Sequence, residues 1–123
     1  MLAMTLGYNK HYSEEAPDKE ALDQLTGYAL VEFGAPWCTH CQAAMPVIEC
    51  FMKPYPTLPH VKVFDGKGKR LGRQFGVKLW PSLILLKNGH EIGRWVRVTC
   101  LEDLNQANGL LMDGTNNSSC LSQ

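Results

Sequence analysis

Residues 35–46 read APWCTHCQAAMP, with Cys38 and Cys41 three apart, Trp37 in front and Pro46 behind. Such a pair is a redox couple, half of a metal site, or two small apolar residues close by accident. Upstream, YALVEF at 28–33 is apolar on both alternations except at Glu32, the pattern of a strand covered on both faces. Downstream, Ala44, Met45, Val47, Ile48, Phe51 and Met52 form an apolar stripe of helical period that ends before Pro54-Tyr55-Pro56. Cys38 therefore falls at the mouth of a helix, where unpaired N–H groups and the helix dipole favour thiolate over thiol. Cys41 lies about one turn inward, close enough to close a small disulfide ring. An attacking thiolate with a resolving neighbour is what dithiol exchange requires. A zinc site needs a second Cys or His pair at ligand spacing; no second CxxC, HxxxH or CxxH exists, and His40, His60, His90 and Cys100 are scattered singles.

The chain has 123 residues, enough for one domain with a real core, of which 45% are hydrophobic and 20% charged. Twelve basic residues balance twelve acidic ones, so no overall field favours nucleic acid or an anionic membrane. No apolar run approaches the roughly 20 residues of a membrane span. The first residues, MLAMTLGYNKHYSEEAPDK, lack the pattern of a secretion signal. Five cysteines is an odd number, and Cys50, Cys100 and Cys120 have no near partner, which suits a reducing compartment; a cytoplasmic location is expected.

Coarse periodicity sets the rest. A short helix spans 18–25, and VKVF at 61–64 is a second strand. A helical turn or two covers 71–75, and SLILL at 82–86 is a third, buried strand. Asn88-Gly89 turns the chain into a hairpin strand at 92–98. Thr99 and Glu102 fit a capping box opening a last helix to about Leu111. One domain over 1–111 is expected, with 112–123 a polar, disordered tail. The order implies an α/β fold, a mixed sheet with helices on both faces.

LVEFGAPWCTHCQAAMP at 30–46 resembles the strand, active-site turn and kinked helix of the thioredoxin family, and LWPSLILLKNG at 79–89 resembles its cis-proline strand and hairpin. The resemblance runs from about Tyr28 to Leu111 and implies the thioredoxin fold, a central mixed sheet flanked by helices. It implies that Cys38 is the exposed nucleophile, Cys41 the buried resolving cysteine, Pro81 a cis-proline facing the disulfide, Trp37 a platform for substrate and Pro46 the kinking proline. Glu32, the sole charge in YALVEF, is expensive to bury without a purpose. The resemblance gives it the proton of Cys41 to accept, with a pKa raised by burial. A gap-free count back from Pro81 puts Lys62 on the family's partner lysine, hence a Glu32–Lys62 pair.

Three departures stand out. Thr39-His40 replaces the Gly-Pro of ordinary thioredoxins, and a His there resembles protein disulfide isomerase and the periplasmic disulfide oxidase. Its charge or N–H bond would stabilise the reduced form and make the disulfide more oxidising. Trp80 precedes Pro81 where an aliphatic residue is common, and would narrow the groove or stack on substrate. VRVTC replaces the small loop before the last helix, so that Arg97 with Lys78 and His40 gives a more basic rim.

The expected activity is thiol–disulfide exchange with protein disulfides, as a reductase more oxidising than ordinary thioredoxin. The alternative is a redox-sensing binding module with little turnover, and a metal carrier through Cys38 and Cys41 is a third reading. No cofactor or metal is expected. The partners expected are proteins bearing disulfides and a thioredoxin reductase as electron donor, with no nucleic acid or membrane, and a monomeric state.

Overall fold

The computed structural model describes residues 3–115, with side chains through Met112. Strand β1 (Met4–Leu6) leads through an irregular segment to helix α1 (Lys19–Asp23) and strand β2 (Tyr28–Gly34). Helix α2 (Thr39–Met52), strand β3 (Pro59–Phe64) and helix α3 (Leu71–Gln74) follow. Strands β4 (Ser82–Lys87) and β5 (His90–Val96) form a hairpin, and a 3₁₀ turn (Leu101–Leu104) opens into α4 (Asn105–Thr115). Among the described residues no helix is long and apolar enough to cross a membrane.

The sheet order is β1-β3-β2-β4-β5; β2 and β3 run parallel and the other neighbours antiparallel. The continuous apolar run of β2 is explained by its place at the centre, where both faces are covered. Leu30 faces Ala44, Ile48, Phe51, Leu104 and Leu111 on one side. Val31 and Phe33 face Leu22, Val61, Leu71 and Ile84 on the other. Each such fully buried leucine contributes about 1.5–3 kcal/mol relative to exposure. The hairpin turns at Asn88 and Gly89 with φ of 50° and 81°, the two positive values that an Asn-Gly turn supplies.

Three local expectations change. The strand β1 was absent from the sequence reading; it pairs antiparallel with β3, Met4 opposite Val61. The capping box lies one residue later than expected. Asp103, not Glu102, accepts from the backbone N–H groups of Thr99 (2.8 Å) and Cys100 (3.3 Å), because Cys100 is the extended residue before the first turn. Helix α4 runs through Thr115, past the expected end at Leu111; 116–123, Cys120 among them, lie outside the described residues.

Candidate active site

The end of β2 delivers the chain to the motif. Ala35 accepts from the Cys38 N–H (3.2 Å), closing a turn that puts Cys38 in extended geometry as the N-cap of α2. Cys38 Sγ accepts the Cys41 N–H at 3.3 Å, so one of the helix's orphan donors already points at this sulfur. Cys38 is half-buried, whereas Cys41 is 1% exposed on the inner side of the same turn; both are free thiols. Burial first, then the contact with Cys38, pushes the Cys41 thiol up to about 11. Pro46, inside α2, removes the hydrogen bond that would reach back to the Gln42 carbonyl and leaves the first turn with the cysteines intact.

Beneath Cys41 lies a cluster of polar groups in the apolar layer between the sheet and α2. Parallel pairing places Glu32 opposite Lys62 and Leu30 opposite His60, so His60 and Lys62, two residues apart, share the face of Glu32. Glu32, His60 and Lys62 are all 0% exposed. His60 Nε2 lies 2.9 Å from Glu32 Oε1, and the Tyr12 hydroxyl donates to Glu32 Oε2 at 2.6 Å. Lys62 Nζ stands 3.8 Å from the same oxygen, donates to the Lys10 carbonyl at 3.3 Å, and faces the rings of Tyr12 (4.5 Å) and Tyr8 (5.5 Å). The Asn9 N–H donates to His60 Nδ1 at 2.9 Å, which assigns the ring proton to Nε2 and makes His60 a donor to Glu32.

The expected raised pKa of Glu32 is corrected by this cluster. Burial does push the carboxyl up, but the hydrogen bond from His60, the charge of Lys62 and the Tyr12 hydroxyl together outweigh it, and the group lies below its ordinary range. Lys62 is pulled below the usual lysine range, burial outweighing the attraction of Glu32.

Apolar side chains adjoin Cys38 through Trp37, its neighbour in the chain. Trp37 is 65% exposed, and its ring meets that of Trp80 edge-on with centroids 5.4 Å apart. Trp80 Nε1 donates to Asp65 Oδ2 at 2.9 Å, which fixes the indole, and the Trp80–Pro81 peptide is cis. Pro81 is buried and Leu79 is exposed beside it. Arg97 does more than solvate: at φ 54°, its N–H donates to the Pro81 carbonyl (2.9 Å) and its Nε to the Trp80 carbonyl (2.9 Å). His40 and Lys78 are exposed.

Comparison with known proteins matches this geometry. The family model described as thioredoxin matches residues 10–107. The chain belongs to the thioredoxin family. It is similar to the thioredoxin of Chlamydia muridarum, 38% identical over 71 residues that cover 58% of this chain and 70% of that one. It is also similar to a protein disulfide-isomerase of Datisca glomerata, 30% identical over 102 residues, 69% of this chain and 20% of the relative. The structure of thioredoxin 2 from Pseudomonas aeruginosa PAO1 in its reduced form superposes with a TM-score of 0.77 at 46% identity, covering 87% of this chain and 99% of that one. Thioredoxin homologues are thiol–disulfide oxidoreductases, and this chain is a thioredoxin-family oxidoreductase with the thioredoxin fold.

Of the residues singled out in sequence, the structure pairs Cys38 with Cys41, Glu32 with Lys62 and Trp37 with Trp80, which precedes Pro81 across a cis bond; His40 is exposed in the first turn of α2. Two residues that contact Glu32 were missed. His60 was taken as a scattered single, although PHVKVF alternates His60 and Lys62 on one face of a buried strand. Tyr12 gave no signal, because it arrives from an irregular segment 20 residues before Glu32. Among the described residues, no group of three or more His, Cys, Asp and Glu could hold a metal ion.

Proposed function

We propose that this chain reduces disulfides of proteins, with Cys38 as nucleophile and Cys41 as resolving thiol. The observation that carries the assignment is the asymmetry of the pair. Cys38 sits at the open mouth of α2 with an N–H aimed at its sulfur, while Cys41 is 1% exposed and its thiol lies near 11. Cys38 attacks a substrate sulfur, giving a mixed disulfide. Cys41 then attacks Cys38 Sγ, the substrate leaves as a thiol, and the Cys38–Cys41 disulfide remains for an electron donor of the thioredoxin reductase kind to reduce. Trp37, Leu79 and Trp80 supply the apolar surface on which an extended substrate segment lies, with Pro81 at its floor and His40 at its edge. Glu32, with Lys62 as counter-charge, serves the proton of Cys41, in a reducing compartment such as the cytoplasm. Insulin reduction, driven by a thioredoxin reductase and NADPH, tests this reading. Many turnovers per protein are expected; a single stoichiometric oxidation would favour a redox-sensing binding module instead.

The dipeptide Thr39-His40 sets the potential. His40 is exposed in the first turn of α2, two residues after Cys38, and an imidazole N–H or charge turned toward the Cys38 sulfur favours the dithiol form. The couple is placed between about −270 mV, typical of thioredoxin, and about −180 mV, typical of protein disulfide isomerase. Replacing His40 by Pro removes one charge-assisted interaction and is expected to lower the potential by about 30 mV, roughly 1.4 kcal/mol for two electrons. Redox titration of both proteins against glutathione measures the difference; equal potentials would make His40 a bystander.

A further inference from the structure

Gly34, the last residue of β2, has no side chain for a reason: a Cβ there would stand 2.6 Å from Cys41 Sγ and 2.6 Å from the Tyr12 hydroxyl. Both atoms converge on the space above this glycine. The same hydroxyl donates to Glu32 Oε2 at 2.6 Å, so Tyr12 stands between the buried carboxylate and the resolving thiol. Tyr12 and Cys41 also share the wall of a cavity of about 220 Å³, with Lys10, Pro36, Gln42 and Met45 among its lining.

We propose that Tyr12 is a catalytic residue that relays the proton of the resolving step. As Cys41 Sγ attacks Cys38 Sγ of the mixed disulfide, the Cys41 S–H proton passes to the Tyr12 oxygen while the Tyr12 proton passes to Glu32 Oε2. The Cys38–Cys41 bond forms and the Cys38–substrate bond breaks. The substrate sulfur leaves with the electron pair of the broken bond and takes a proton from water. Glu32 is held ionised by its partners, so once the Cys38–Cys41 bond has formed it returns the proton through Tyr12 to water in the cavity that Tyr12 and Cys41 line, where it neutralises the hydroxide left when the substrate thiolate takes its proton from water. The Tyr12 hydrogen bond also pulls the Cys41 thiol down against the burial that raises it. The relay rests on the assignment of Cys41 as resolving thiol and Glu32 as its base.

The charged and titratable groups facing the relay are His60 and Lys62 from β3, Cys38 from α2, Tyr8 from the N-terminal segment, and Lys10 and His11 at the cavity. None of them stands in for the Tyr12 oxygen. Without it, attack waits for Cys41 to lose its proton to solvent, so the rate then rises with hydroxide. General acid–base assistance is worth about 10²–10⁴-fold, and removal of one relay atom is expected to cost about tenfold or more.

The test is Tyr12→Phe, which keeps the ring over Lys62 and removes only the hydroxyl. In a background where Cys50, Cys100 and Cys120 are replaced by Ser, so that only the active-site pair reacts, 5,5′-dithiobis(2-nitrobenzoate) releases one coloured thiolate on attack by Cys38 and a second on resolution, and the two steps are read separately. Expected are an unchanged first phase, a second phase slowed at least about tenfold at pH 7, and a second phase that climbs with hydroxide from pH 6 to 9 while the wild type stays nearly flat. Equal second phases with parallel pH profiles overturn the relay, as does equal slowing of both phases, which would mark a displaced fold. Glu32→Gln in the same assay separates the two layers. If it slows the second phase and Tyr12→Phe does not, the relay falls and the base stands; if neither does, both fall.

Discussion

Cys38→Ser is expected to abolish disulfide exchange, down to the uncatalysed background, while Cys41→Ser still attacks substrate and holds it as a mixed disulfide. The difference follows from place rather than residue type. A serine at the mouth of α2 keeps the N-cap geometry but offers no sulfur to form the covalent intermediate. A serine at position 41 leaves Cys38 and the rim of Trp37 and Trp80 untouched, and removes only the group that resolves. Incubation with a disulfide-bearing substrate, followed by non-reducing electrophoresis, should show a covalent adduct with Cys41→Ser and none with Cys38→Ser. The reverse pattern would exchange the two roles.

Glu32→Ala is expected to cost about 3–5 kcal/mol of stability, the penalty for removing one partner of a buried charge pair. The loss leaves Lys62 without its counter-ion at 0% exposure and strips the acceptor from both His60 Nε2 and the Tyr12 hydroxyl. The pH dependence carries a definite sign. In the fold Glu32 titrates below its ordinary 4.5, so the folded state binds fewer protons than the unfolded chain in that window. Its stabilisation is therefore complete above 4.5 and fades as pH falls through the lower, folded value. Urea unfolding of wild type and Glu32→Ala at pH 7 and in a series below 4.5 should show a wide gap at neutral pH that narrows in acid. A gap that stayed constant would remove Glu32 from the ionised state assigned to it.

The central layers of this fold were legible because their residues answer to local rules. YALVEF is apolar on both alternations only because β2 lies between β3 and β4 with helices on both faces. The stripe through Ala44, Ile48, Phe51 and Met52 marks α2, and Asn88-Gly89 supplies the left-handed pair the hairpin needs. Glu32 stood out as a lone charge in that strand. Its partners did not, since they are assembled by register rather than by sequence. His60 reaches Glu32 across 28 residues only once Leu30 pairs with His60 in the parallel ladder. Tyr12 depends on an irregular segment anchored by Asn9 to His60 and by Ser13 to Lys62 and Phe64, and β1 is three residues at a sheet edge, too short to show a period. The direction of the Glu32 shift was read wrongly for the same reason. Burial was visible from the strand, but the donors that outweigh it were not.

The most direct check on the account is the order in which the two thiols of the fully reduced protein react with iodoacetamide at pH 7. Peptide mapping by mass spectrometry distinguishes the sites, and the exposed Cys50 and Cys100 serve as internal references for ordinary surface thiols. A half-buried Cys38 with a backbone N–H on its sulfur, against a Cys41 at 1% exposure with its thiol near 11, predicts early labelling of Cys38 and Cys41 last of the four. Labelling of Cys41 ahead of Cys38 would contradict the account.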